Sequence, residues 1–220
     1  MKQGDYEAIR SSLALYFVMG SPNCLQAPER VLQEAIAGGI TLFQFREKGK
    51  GALTGDAKFE LAAKLKDICD QNQIPFIVDD DVELALWLDA AGIHIGQEDA
   101  PLEEVRASCG NKLVGVSVHT VQEAELAIAQ GADYLGLGPI FPTQTKKDAR
   151  PVQGTVLIEQ LRSKGYTIPI VGIGGVTAGN VEQVMKAGAD GAAVITAISR
   201  AVHVQDAAKQ LKEIIMKKGL

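Results

Sequence analysis

The chain has 220 residues, 46% of them hydrophobic, which is enough for one well-buried core. Its net charge is −5 and it has no block of Lys and Arg, so neither nucleic acid nor a membrane surface is an expected partner. No apolar run approaches a transmembrane span, the opening residues lack the apolar core of a signal peptide, and Cys24, Cys69 and Cys109 are too scattered for a disulfide framework or a clustered zinc site, so a cytoplasmic protein is expected.

In chain order, residues 1–12 predict a helix packed outside the main body. Short apolar runs then predict eight strands at 15–19, 41–45, 75–78, 92–95, 113–117, 134–137, 169–173 and 192–195. Several are apolar on both faces, as buried parallel strands are. Helical periodicity lies between them. Leu61, Leu65 and Ile68 mark one face, with Ala62 and Cys69 beside them, and Trp87 falls on a helical pattern where core packing is the default. Val204, Ala207, Ala208, Leu211, Ile214 and Ile215 mark a last helix. Gly39, Gly92, Gly131 and Gly188 precede strands and suit left-handed helix caps. Gly131-Ala132-Asp133 and Gly188-Ala189-Asp190 repeat one corner.

Eight β-α units in this length predict a single-domain α/β fold over 1–220, a (β/α)8 TIM barrel. An open doubly wound sheet is the alternative, but no glycine-rich dinucleotide fingerprint follows the first strand.

A barrel keeps its chemistry at the C-terminal ends of its strands, and those ends are polar here. Arg46 and Lys48 follow strand two. They suit a shared anion, or a charged turn in which Glu47 is their partner. Asp79, Asp80 and Asp81 follow strand three, and Asp99 follows strand four. Asp80 and Asp99 suit a hard cation such as Mg²⁺, which takes one or two carboxylates and keeps waters and phosphate oxygens. Asp81 suits a helix N-cap, and Asp99 has the same alternative before Pro101. Ser117 and His119 end strand five, with His119 as a base or a polar wall. His94, inside a strand, reads as a hydrogen-bonded barrel residue, and His203 as surface. The run from Gly138 through Pro139, Pro142, Thr143, Gln144, Thr145 and Lys146 to Lys147 is a braced loop with hydroxyls and cations for phosphate, or a solvated surface loop. Gly174-Gly175 and Ile195-Thr196 follow strands seven and eight, where many barrels hold a phosphate.

These segments together resemble the thiamine-phosphate synthase family over nearly the whole chain. The resemblance rests on Gln44-Phe45-Arg46-Glu47-Lys48, the strand end with Asp80, the run from His94 to Asp99, Gly115-Val116-Ser117, the Gly136 to Lys146 run, and Pro169 to Gly175. It implies a transferase that joins 4-amino-2-methyl-5-hydroxymethylpyrimidine diphosphate to a thiazole phosphate, or its carboxylated form, releasing diphosphate through a pyrimidine-stabilised carbocation. By the match, Arg46, Lys48, Ser117 and Lys146 are catalytic, and Asp80 and Asp99 hold Mg²⁺. The substrate contacts it implies are Gln44, Phe45, Arg46, Glu47, Lys48, Asp79, Ser117, Thr143, Gln144, Thr145, Lys146, Gly175, Ile195 and Thr196. Residues 49–54 and the loop from Pro142 to Lys146 are the expected lids. The family usually has Asn where this chain has Asp79, and commonly an acidic residue where it has Gln144.

A related thiazole tautomerase would not need Arg46, Lys48, Asp80 and Asp99 together, and a non-catalytic phosphate-binding barrel would lack the diphosphate cations. A Schiff-base aldolase would need a desolvated lysine in the barrel. The sequence leaves oligomeric state open, a homo-oligomer included.

Overall fold

The computed structural model describes residues 3–143 and 151–217. In chain order the elements are α1 (Gln3–Leu13), β1 (Leu15–Met19), α2 (Pro28–Ala37), β2 (Leu42–Phe45), α3 (Gly55–Gln71), β3 (Phe76–Asp79), α4 (Val82–Trp87), β4 (Gly92–Ile95) and α5 (Leu102–Cys109). They continue with β5 (Leu113–Val118), α6 (Val121–Ala129), β6 (Tyr134–Leu137), α7 (Val156–Ser163), β7 (Ile170–Ile173), α8 (Val181–Lys186), β8 (Gly191–Val194), α9 (Thr196–Ser199) and α10 (Val204–Met216). The strands pair in parallel, in sequence order, and β8 closes on β1 through Leu15 opposite Ala192. The expected (β/α)8 barrel is therefore the observed one.

The pleat explains the apolar runs. Alternate residues face the barrel axis or the helices, and both sides are dry. Tyr16, Val18, Leu42, Ile77, Tyr134, Val171 and Ala193 form the inner core. Phe17, Phe43, Phe45 and Phe76 face the helices, with Phe43 5.8 Å from Phe17 and 5.5 Å from Phe76 between ring centroids. Each such burial contributes on the order of 2–3 kcal/mol. Pro75 and Pro169 lie just before β3 and β7 rather than within them. They have no N–H to give, but their carbonyls still accept from Phe43 (3.1 Å) and Leu135 (2.9 Å).

The repeated Gly-Ala-Asp corners share one chemistry. Asp133 accepts from the Val114 N–H and from Arg106, both at 2.7 Å. Asp190 does the same with the Ile170 N–H and Arg162, again at 2.7 Å. Each carboxylate thus ties a helix to the start of the preceding strand.

Four expectations are corrected. Helix α1 does not sit outside the barrel: Ile9 and Leu13 join the inner core, so it plugs the N-terminal end. Trp87 is 60% exposed and meets Phe59 edge-on at 5.3 Å instead of entering the core. Gly92 is a strand residue pressed on Leu113, and Asp89 takes the left-handed turn at that corner, whereas Gly39, Gly131 and Gly188 are left-handed as expected. Asp99 caps no helix, since α5 begins after Pro101. Among the described residues no helix is long and apolar enough to cross a membrane.

Candidate active site

A cavity of about 400 Å³ opens at the C-terminal ends of the strands. Its walls follow from strand periodicity. In β2, Gln44 faces the axis, Phe45 faces the helices, and Arg46 turns back to the cavity. Gln44 is 4% exposed, and its amide nitrogen is buried without a hydrogen-bond partner. Such an orphan donor is costly unless a ligand satisfies it.

The cations and carboxylates meet at β2 and β3. Arg46 Nε lies 3.3 Å and Lys48 Nζ 3.6 Å from Asp79 Oδ2, and Lys48 also contacts Asp80. Asp80 has a left-handed backbone (φ 60°), held by its N–H on the His94 carbonyl at 2.9 Å. Aspartate tolerates that region better than most residues, and such outliers cluster at functional sites. Asp99 also lines the cavity, with one carboxylate oxygen accepting from the Gly96 N–H at 2.7 Å.

Below them runs a hydrogen-bonded chain that the sequence did not reveal. Ser117 Oγ meets His94 Nε2 at 2.8 Å, His94 Nδ1 meets the Tyr134 hydroxyl at 3.1 Å, and Tyr134 meets the Tyr16 hydroxyl at 2.9 Å. Burial, foremost, pushes both phenols well up, and the charge of Asp79 adds to each shift. Gly115 and Gly136 make the room. A Cβ on Gly115 would come within 2.1 Å of the Tyr134 ring and 2.5 Å of His94 Nδ1. The available signal was a glycine on each of the next two strands after His94, Gly115 on β5 and Gly136 on β6. Gln97 donates to the Ser117 carbonyl at 2.8 Å, which fixes that strand end from above.

Across the barrel, the loops after β6 and β7 zip together. Ile140 N–H donates to the Ile173 carbonyl and Phe141 N–H to the Gly174 carbonyl, both at 2.9 Å. Gly174 and Gly175 are left-handed (φ 95° and 66°), and a Cβ on Gly175 would lie 2.5 Å from the Pro142 carbonyl oxygen. Gly175, Ile195, Thr196 and Thr143 all line the cavity. His119 lines it too, with Nδ1 2.9 Å from the Gly138 carbonyl oxygen.

Two expected contacts are elsewhere. Phe45 is 1% exposed in the layer between sheet and helices, because the pleat turns it outward. Glu47 is a brace rather than a ligand or a partner of Arg46. It accepts from Ser21 N–H and Leu53 N–H, each at 2.7 Å, and from Ser21 Oγ at 2.5 Å. It thereby anchors the loop of residues 49–54, one of the expected lids, next to the cation pair. Asp81 is the N-cap of α4, as expected, accepting from the Leu84 N–H at 2.9 Å. Gln144, Thr145 and Lys146 lie outside the described residues, as does Lys147.

A family model described as thiamine monophosphate synthase matches residues 15–198. A thiamine-phosphate synthase of Bacillus cereus is 56% identical over 94% of this chain and 92% of its own length. A Bacillus velezensis thiamine-phosphate synthase is 54% identical over 95% and 93%. The solved structure of a thiamine phosphate pyrophosphorylase from Pyrococcus furiosus superposes with a TM-score of 0.85 and 35% identity, covering 95% of this chain and 98% of that one. With the model spanning most of the chain and full-length relatives above half identity, the chain belongs to the thiamine monophosphate synthase family.

Proposed function

We propose that the barrel carries out the thiamine-phosphate synthase reaction by dissociation: the pyrimidine diphosphate ionises at the β2–β4 side of the cavity, and the thiazole phosphate waits at the β6–β8 side. One observation carries this division of labour. Arg46 and Lys48 converge with Asp79 and Asp80 on one wall, while the glycine loop of Gly174-Gly175 and the Thr196 helix start form part of the wall across the barrel.

In the first step the methylene C–O bond breaks and its electron pair leaves on the diphosphate. Arg46 and Lys48 oppose the charge that grows there, and such fixed groups lower the barrier because they favour the transition state more than the ground state. The buried Gln44 amide and the Ser117 hydroxyl hold the pyrimidine, the former finding the acceptor it lacks within the protein. In the second step the thiazole nitrogen lone pair forms the new C–N bond to the cation. No general base is required for that attack. Thr143, Gly175 and the N–H groups at Ile195-Thr196 receive the thiazole phosphate. Lys146, Gln144 and Thr145 complete the site on the resemblance alone.

The residues fit Mg²⁺. Asp80 and Asp99 both line the cavity. Two carboxylates leave the remaining positions to water and diphosphate oxygens, the usual arrangement for this ion. When bound there, Mg²⁺ supplies positive charge to the leaving group.

The test is direct. With both substrates and Mg²⁺ the protein is expected to yield thiamine phosphate and diphosphate, and chelation is expected to stop turnover. Folded protein that makes no product under those conditions overturns the proposal. Turnover that survives chelation overturns the metal assignment alone.

A further inference from the structure

We propose that Asp79 is an internal counterion of the diphosphate site. It holds Arg46 and Lys48 in place before ligand arrives, competes with diphosphate for them, and so makes diphosphate binding depend on an accompanying divalent cation. This rests on the assignment of Arg46 and Lys48 to the diphosphate.

Asp79 ends β3 in register with His94, and its side chain is 10% exposed. It belongs to the strand itself, so it cannot swing away as a loop residue would. Its Oδ2 lies 3.3 Å from Arg46 Nε and 3.6 Å from Lys48 Nζ. Lys48 contacts Asp80 as well. Among the described residues, two cations therefore face two carboxylates, so their charges balance on this wall. Asp99 adds a further carboxylate to the same cavity. An ionised carboxylate can only accept hydrogen bonds, so Asp79 offers a phosphate oxygen no contact and only repulsion. The same negative charge, next to Asp80, draws a divalent cation. Metal-free diphosphate is disfavoured by Asp79, whereas the diphosphate–metal pair is not. An amide at this position would leave the wall with one net positive charge and would remove both effects.

The experiment is titration calorimetry of inorganic diphosphate into the wild-type protein, Asp79→Asn and Asp79→Ser, first in EDTA and then in saturating Mg²⁺. In EDTA both variants are expected to bind diphosphate roughly tenfold tighter than wild type, the order expected when one unit charge is removed beside a polyanion in a screened site. In Mg²⁺ the gap is expected to narrow, because the variants also lose attraction for the metal. Asp79→Ser also removes the charge but brings one donor on a shorter side chain in place of the amide's two, and it stands in for Asp79→Asn should that variant not fold. Variants that bind metal-free diphosphate no tighter than wild type overturn the counterion role while leaving the site assignment intact. The same holds for a gain confined to Asp79→Asn. Absence of diphosphate binding by folded wild type and variants in both buffers overturns the site assignment and the counterion role with it.

Discussion

Ser117 Oγ lies 2.8 Å from His94 Nε2, and that imidazole is held on its other side by the Tyr134 hydroxyl at 3.1 Å. Because burial keeps Tyr16 and Tyr134 protonated, a neutral imidazole between them and Ser117 has two proton arrangements. If Tyr134 donates to Nδ1, Nε2–H donates to Ser117, and the serine proton is left for the substrate. If Tyr134 donates to Tyr16, Nδ1–H donates to Tyr134 and Nε2 accepts the serine proton. The imidazole tautomer therefore sets what Ser117 offers to the cavity.

Ser117→Ala is expected to lower kcat by roughly 10²-fold, the scale of one lost transition-state hydrogen-bond donor. His94 acts through Ser117, so His94→Gln, which keeps polar atoms near both partners, should retain more turnover than His94→Leu. Steady-state kinetics on the three variants checks this. Equal losses for the two His94 variants would mean that the ring only fills space.

Arg46→Ala and Lys48→Ala are expected to cut kcat by about 10²–10³-fold with little loss of fold stability. Either substitution leaves Asp79 at least the other of these two cations, so an unfolded variant is not expected. Lys146→Ala should behave likewise. Thermal unfolding beside the kinetics separates the cases, and a variant that simply unfolds would make its cation structural.

The strands were legible because both of their faces are dry, which leaves apolar runs that no solvated helix shares. The cations and carboxylates were legible because they crowd the strand ends. The motif as a block does not show which of its side chains reach the cavity. Strict alternation from the inward Gln44 sends Phe45 out and returns Arg46 to the cavity. The role of Glu47 was not readable, because its partners Ser21 and Leu53 meet it only after the loops around β1 and β2 fold together. The helix at the N-terminus is readable but its plugging position is not, for a similar reason: Ile9 and Leu13 give a weak periodic signal, and only the open barrel end identifies what they cover.

Two glycine substitutions should divide fold from function. Gly175→Ala puts a side chain at φ 66° and within 2.5 Å of the Pro142 carbonyl oxygen, so it must push the two phosphate-side loops apart. A rise in KM for the thiazole phosphate is expected, with a stability cost of about 1–3 kcal/mol. Gly191→Ala instead sets a Cβ 1.8 Å from the Leu13 carbonyl oxygen at the opposite end of the barrel. It should destabilise at least as much while leaving KM unchanged in the folded fraction. A KM change from Gly191→Ala and none from Gly175→Ala would reverse the assignment of the two ends.

The cap of α4 gives a prediction in pH. Burial pushes the Asp81 carboxyl up, but hydrogen bonds from Lys58 and the Leu84 N–H, with the charge of Lys58, outweigh it and hold the group below its ordinary value. Lys58 Nζ lies 2.5 Å from Asp81 Oδ2, so the same carboxylate ties α3 to α4. A carboxyl whose folded pKa is depressed contributes stability that is complete above its unfolded pKa and is lost as pH falls through the folded one. Asp81→Asn keeps a capping oxygen but loses the charge, so its deficit isolates the ionic part. That deficit should be about 0.5–1 kcal/mol at pH 7, since the pair is partly solvated. It should shrink below about pH 4, where the unfolded carboxyl protonates, and vanish once the folded one does. Asp81→Ala should lose about 1 kcal/mol more at neutral pH, because the Leu84 N–H then has no acceptor. Urea unfolding of the three proteins across this range tests the assignment, and a wild-type advantage over Asp81→Asn that stays constant with pH would show that the charge of Asp81 contributes nothing.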